Sequence, residues 1–226
     1  AWLALSSGEL GLTECAEHEL PGWLARLNAA EVLVEREMVP TALSAVRAAV
    51  THRPDWQFDA ALGARKLCEQ LRVASLAGFN AGEMTVAHAA AAALLSYAEH
   101  TQGQALAHVR RLQVERTSEL IDLPPTTHRN LELTQTLRGE DAPTLLSLLD
   151  TCRTGMGSRA LRGWMTRPLR DRGVAIQRHE AIEATIAQGG EALRSALRQV
   201  SDVERITARI ALRQVRPREL TGLRAT

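Results

Sequence analysis

The chain has 226 residues, room for one large domain or two small ones, and its 45% hydrophobic content is ordinary for a globular protein. Only 3% of residues are aromatic, so a core must come from Leu, Ala, Val and Ile, which favours close-packed helices over a β-sandwich. A formal net charge of +1 gives no whole-chain attraction to phosphate, and Cys15, Cys68 and Cys152, far apart and in no CxxC pair, argue against a disulfide framework or a zinc site. A reducing cytosol is the simplest home. The longest apolar run, residues 89–95, is shorter than the about 20 residues a membrane span requires, and no signal-peptide pattern opens the chain. It begins at Ala1 rather than Met, as expected of a fragment. Nearly all the basic charge is Arg, with Lys66 the one lysine, a bias that carries no functional weight.

Residues 2–12 alternate around Ser6, Ser7 and Gly8, with Leu3, Leu5, Leu10 and Leu12 as the apolar positions, which predicts a β-hairpin. Residues 17–28 read as a helix with the stripe Trp23, Leu24 and Leu27, and Pro21 in its first turn. Val32, Leu33 and Val34 follow as a short buried strand, with Pro40 as the next stop. Polarity rises and the period changes around His52, Arg53, Pro54 and Asp55, which places a domain boundary there.

Asp59 is suited to cap a helix carrying Ala61, Leu62, Leu67 and Leu71. Residues 83–100 form a strongly helical run containing five consecutive alanines, 89–93, whose small side chains let a central helix approach its neighbours closely. Residues 108–123 carry Val109, Leu112, Val114, Leu120, Ile121 and Leu123 between polar positions, and predict one hairpin or two edge strands.

Two helix stops and two helix starts are then compressed into residues 145–172. Leu145, Leu146, Leu148 and Leu149 crowd a short helix that ends at Asp150 and Thr151. Thr154 is the expected N-cap of the next helix, and Gly155 and Gly157 permit a tight entry. Met156, Ala160, Leu161, Trp164 and Met165 share one face of it, with Arg159, Arg162 and Arg167 elsewhere. In this reading Trp164 is a core anchor rather than a stacking platform. Pro168 closes the helix and Asp171 opens another, with Ala175, Ile182 and Ile186 on its buried side. Helices over residues 190–200, 202–215 and from Pro217 onward complete the chain, the second with Val203, Ile206 and Ile210 as its buried stripe.

The corner closely resembles the start of the core, or lever, domain in the MutS family of DNA mismatch-repair ATPases. That family's pattern is a leucine-rich turn, Asp-x-Thr-x-Thr-x-Met-Gly-Ser-Arg, a Leu and Trp helix, then Pro-Leu-x-Asp. Here it runs from Asp150 through Thr151, Cys152, Arg153, Thr154, Gly155, Met156, Gly157, Ser158 and Arg159 to Leu161, Trp164, Pro168, Leu169 and Asp171. Arg129, Asn130, Leu131, Glu132 and Leu133 match a further family signature upstream.

The resemblance implies a mainly α chain, with residues 1–51 as the C-terminal part of a small α/β, RNase H-like connector domain and residues 52–226 as the N-terminal portion of the core domain. It also implies a mismatch-repair protein that couples binding of mismatched double-stranded DNA to ATP, using ATP and Mg held by other domains. A homodimer, a MutL-type partner met through the connector, and a cytoplasmic, nucleoid-associated setting without a membrane are further implications. The corner residues Thr154, Gly155, Gly157, Trp164, Pro168 and Asp171 would serve as a structural hinge in transmission, with no catalytic, cofactor-binding or metal-binding residue expected in this stretch. Two alternatives stand beside this one: a paralogue acting in recombination or ribosome rescue, and a free-standing helical scaffold.

Three local patterns have plainer accounts. Thr154, Gly155, Gly157 and Ser158 precede a helix as phosphate loops do, yet a Walker A loop needs Gly-Lys-Ser or Gly-Lys-Thr and this turn has no Lys. His179 and Glu180 begin like HExxH, but Glu183 stands at the second His position. Arg205, Arg209 and Arg213 recur at i, i+4 and could contact DNA phosphates; neutralisation by Glu204, Glu219 and other acids is the simpler account.

Overall fold

The computed structural model describes residues 1–37, 43, 48–103, 105–121 and 123–226. The chain divides into two compact units: Ala1–Arg116 with Thr207–Val215, and Thr117–Ile206 with Arg216–Thr226. Helices dominate and two small sheets lie in the first unit, giving the expected mainly α chain with an α/β beginning.

In the first unit, β1 (Trp2–Ala4) and β2 (Glu9–Leu12) form the expected antiparallel hairpin. Its turn closes with the Ser7 and Gly8 amides donating to the Ala4 carbonyl, and Gly8 takes a positive φ of 71°. Trp2 faces Gly11 across the pair and its indole lies where a Gly11 side chain would be, stacked beside Trp23 with ring centroids 6.1 Å apart. The expected helix over 17–28 is a 3-10 turn, Glu17–Glu19, followed by α1 (Leu20–Leu27) and ended by Asn28 in the left-handed conformation. β3 (Glu31–Glu35) pairs in parallel with β4 (Ala49–Arg53), and Leu24, Val34 and Leu43 make a small core against them. Pro40 lies outside the described residues.

The main core is built by α2 (Ala60–Leu71) and α3 (Thr85–Gln102) against β2. Asp59 caps α2 by accepting from the Leu62 amide at 2.6 Å. The buried side of α2 is Gly63 and Leu67, with Ala64, Cys68 and Leu71 beside them, and Ala61 is exposed. α3 is central as the alanines predict: Ala87, Ala91, Leu95 and Ala98 enter the core, and Ala92 and Ala93 are also fully buried. A Cβ on Gly63 would fall on the backbone carbonyl of His88, so the two helices touch backbone to backbone there. The N-terminus of α3 is capped from a distance, the Glu14 carboxylate accepting from the Ala87 amide at 2.9 Å.

Residues 108–123 differ from expectation. β5 (Arg111–Val114) joins β2 in parallel, giving the sheet order β1-β2-β5, and no hairpin forms among the described residues of this stretch. The apolar residues beyond it belong to the second unit, where Leu120 makes one isolated antiparallel bridge with Leu169. This pairing also moves the domain boundary. The predicted division at 51/52 lies inside the first unit, because the segment carrying α2, α3 and β5 supplies the core beneath β2. The polar stretch after β4 contains a 3-10 turn, Asp55–Gln57.

The second unit holds α4 (Pro125–Asn130), α5 (Leu145–Leu149), α6 (Gly155–Thr166), α7 (Arg172–Ala187), α8 (Glu191–Leu197) and α10 (Pro217–Ala225). The start of α9 (Val203–Ala211) belongs here and its later residues to the first unit. Two sequence expectations fail in these helices. Ala175, Ile182 and Ile186 are exposed, and α7 has no buried residue. In α9, Ile206 and Ala208 are buried, whereas Ile210 is exposed. Periodicity marks an apolar stripe; whether another element covers it is a separate, tertiary matter.

A helical corner as the candidate functional site

The corner forms where the sequence places it. α5 is opened by Thr144, whose hydroxyl accepts from the Ser147 amide at 3.1 Å, and closes at Asp150. Four residues later Thr154 takes extended backbone and its hydroxyl accepts from the Gly157 amide at 3.0 Å, starting α6. Asp150 reaches across the break: its Oδ1 accepts from the Ser158 hydroxyl at 3.0 Å and from the Cys152 amide at 3.2 Å. The Ser158 hydrogen bond is the main reason the Asp150 carboxyl sits below the usual range, while burial pushes the Cys152 thiol up.

The two glycines have separate jobs. At Gly157 a Cβ would stand 3.2 Å from Thr154 Oγ1 and 3.3 Å from Cys152 Cβ, so this position keeps the entry turn tight. At Gly155 the neighbour is distant in sequence: a Cβ there would be 3.1 Å from Asp202 Oδ2. Gly155 makes room for a carboxylate rather than for the turn.

That carboxylate meets Arg159. Its Nη1 donates to Asp202 Oδ2 at 2.7 Å, and its Nη2 donates to Asp202 Oδ1 at 2.8 Å and to Glu204 Oε2 at 2.7 Å. Asp202 also caps α9, Oδ1 accepting from the Arg205 amide at 3.2 Å. The Arg159 hydrogen bond is the largest cause holding the Asp202 carboxyl below its ordinary value, and Asp202 in turn raises the already high pKa of Arg159. Sequence reading missed this cluster. Asp202 just before a helix was a legible cap signal, but nothing local links it to an arginine 43 residues earlier.

The exit of α6 is equally well defined. After Thr166 the chain extends through Pro168 and Leu169; the Ile121 amide donates to the Pro168 carbonyl at 2.9 Å and the Arg170 amide to the Glu119 carbonyl at 2.8 Å. Asp171 then caps α7, Oδ1 accepting from the Gly173 amide at 2.8 Å. Trp164 corrects the sequence reading: it is 48% exposed, and the Arg178 guanidinium of α7 lies 3.9 Å from its ring centroid. A cation over the ring face, not a core, holds it.

The arginine ladder is broken. Arg205 and Arg209 lie on α9, but Arg213 lies beyond it at φ 50°, with its amide donating to the Ile210 carbonyl at 3.0 Å and the Gln214 amide to the Arg209 carbonyl at 2.8 Å. This left-handed ending turns the backbone away before a third arginine can join the row. Arg205 leans on Asp202, Nε to Oδ2 3.7 Å. Of the acids named as neutralisers, Glu204 accepts from Arg159 and Glu219 from the Arg216 amide.

The start of α6 does not fit a nucleotide phosphate. Gly157 already gives its amide to Thr154, the arginine on that helix is held by two carboxylates, and the turn has no Lys. Among the described residues there is no cluster of three or more His, Cys, Asp or Glu suited to a metal, and no helix is long and apolar enough to cross a membrane. The corner consists of short capped breaks between helices, with the Arg159 ion pair and the Trp164 ring contact beside them.

Comparison with known families assigns both halves. The family model for MutS domain II matches residues 1–110, and that for MutS domain III matches residues 126–226. With these two domains in order, and the corner inside the second, the chain belongs to the MutS family of DNA mismatch-repair proteins.

Proposed function

We propose that this chain is the transmission part of a mismatch-repair protein, carrying rotation between an ATPase and a DNA-gripping clamp that lie in other domains. The observation that carries the reading is the corner itself. α5, α6 and α7 are each started by a side-chain cap and separated by a few extended residues, so each helix can turn as a rigid piece about a short, defined joint. ATP and Mg are assigned to an ATPase domain of the intact protein, in keeping with the lack of a Walker lysine at the start of α6. Mismatched double-stranded DNA is the ligand. A homodimer, a MutL-type partner on the connector and a cytoplasmic setting at the nucleoid complete the proposal.

Gly157→Val tests it. The added side chain would press on Thr154 and Cys152 and alter the joint between α5 and α6. In the intact protein, mismatch affinity without nucleotide should stay within about twofold, while ATP-triggered release from DNA should slow about tenfold, a barrier change of roughly 1.4 kcal/mol. Release at the wild-type rate would reject the hinge.

A further inference from the structure

α7 and α8 form an excursion from the body of the second unit: neither helix has a buried residue, and the chain leaves at the end of α6 and returns at Asp202. Packing therefore acts on α9 through Ile206 and Ala208, which are buried, and not through α7 or α8, which lead into its first turn. What lies at the base is the Arg159 fork, three bonds of 2.7 to 2.8 Å onto Asp202 and Glu204. We propose that Arg159 is a positioning residue: by holding Asp202 and Glu204 it fixes the first turn of α9 against α6, so that this turn follows α6 when the corner turns. The inference rests on the transmission reading above.

Three features support the assignment. The bonds are charge-assisted and bidentate, so they set an orientation as well as a distance. The side chains of Arg159 and Asp202 are only 28% and 24% exposed, which screens the pair less than an ordinary surface bridge. Asp202 is at once the acceptor for Arg159 and the N-cap of α9, so one carboxylate joins the two helices, and Gly155 leaves the space that lets it approach. Arg205, with Nε 3.7 Å from the same carboxylate, is a looser neighbour that cannot replace a forked grip from α6.

The test uses the intact protein with R159K, D202N and the double variant, and G157V as reference. Lysine keeps the charge and loses the planar fork; asparagine keeps a good N-cap for α9 and loses the charge. Each variant is first compared with wild type by thermal melting. The expected result is unchanged mismatch affinity without nucleotide, ATP-triggered release slowed about tenfold in each single variant, faster amide hydrogen exchange in the first turn of α9, and a double variant no slower than either single. Wild-type release in both single variants while G157V is slowed would overturn the role of Arg159 and leave the transmission reading standing. Wild-type release in all three would sink both. Effects that multiply in the double variant would show that Arg159 and Asp202 act separately, and would also overturn the proposal.

Discussion

The two units are stabilised in different ways. The first closes a core from which Leu10, Leu67, Leu95 and Leu106 are fully excluded from water, with α2 and α3 touching backbone to backbone at Gly63. The second buries Leu120, Leu133, Leu146 and Ile206 but leaves Leu148, Trp164, Ile182 and Ile186 exposed, and caps, the Arg159 ion pair and a cation over Trp164 add to its order. A closed core resists deformation because displacing any side chain opens a void or a clash. A frame tied at a few polar points can change its angles while keeping its helices. On the transmission reading proposed above, the contrast suits a rigid connector and a lever, and it yields effects of quite different size.

The sharpest break should come in the first unit. Gly63→Ala places a methyl group on the His88 carbonyl, which belongs to backbone and cannot step aside by changing rotamer. The helices must separate, and the core behind them loosens. The expected cost is roughly 3 kcal/mol, the upper range for overpacking, read as a lowered denaturation midpoint. A change under about 0.5 kcal/mol would mean that the two helices are not in backbone contact in solution.

Much of the first unit was legible because its signals are local and agree. The hairpin around Ser6, Ser7 and Gly8, the Asp59 cap and the alanine run each name their own element, and the elements pack as those patterns imply. Two things were not legible there. β5 pairs with a strand about a hundred residues earlier, which no window of sequence displays, and that pairing is why a boundary drawn at the polar stretch after β4 fell inside the unit. In the second unit the caps were again readable: Thr154 and Asp171 stand where the sequence puts them. What failed was the inference from an apolar stripe to burial at Trp164, Ile182, Ile186 and Ile210, while Ile206 is buried as its stripe predicts. The Arg159 cluster escaped for the same reason as β5, since its partners are brought together by the fold.

Trp164→Ala sharpens the contrast at an intermediate size. A buried tryptophan truncated to alanine costs about 3 to 5 kcal/mol. With half its surface in water and Arg178 over one face, Trp164 should cost nearer 1 kcal/mol, much of it from the cation–π contact. Arg178→Ala should produce a similar loss, and the double variant should lose less than the sum, measured as a double-mutant cycle in denaturant. Additive losses would show that the ring and the guanidinium do not interact; a loss above about 3 kcal/mol would return Trp164 to a core.

The smallest effect is the most informative about the lever. Ile186 is 72% exposed near the end of α7. Ile186→Ser therefore removes little buried apolar area, and the two residues have similar intrinsic helix propensity, so neither packing nor local preference should change the stability of this chain by more than about 0.5 kcal/mol. An equivalent change at Leu95, fully enclosed between helix and sheet, would leave a cavity with a hydroxyl in it and cost several times more. Unfolding midpoints of the two variants, measured side by side, check the comparison directly. If Ile186→Ser also costs more than about 1.5 kcal/mol, the stripe on α7 is covered in solution, and the lever is held by a core in the same manner as the connector.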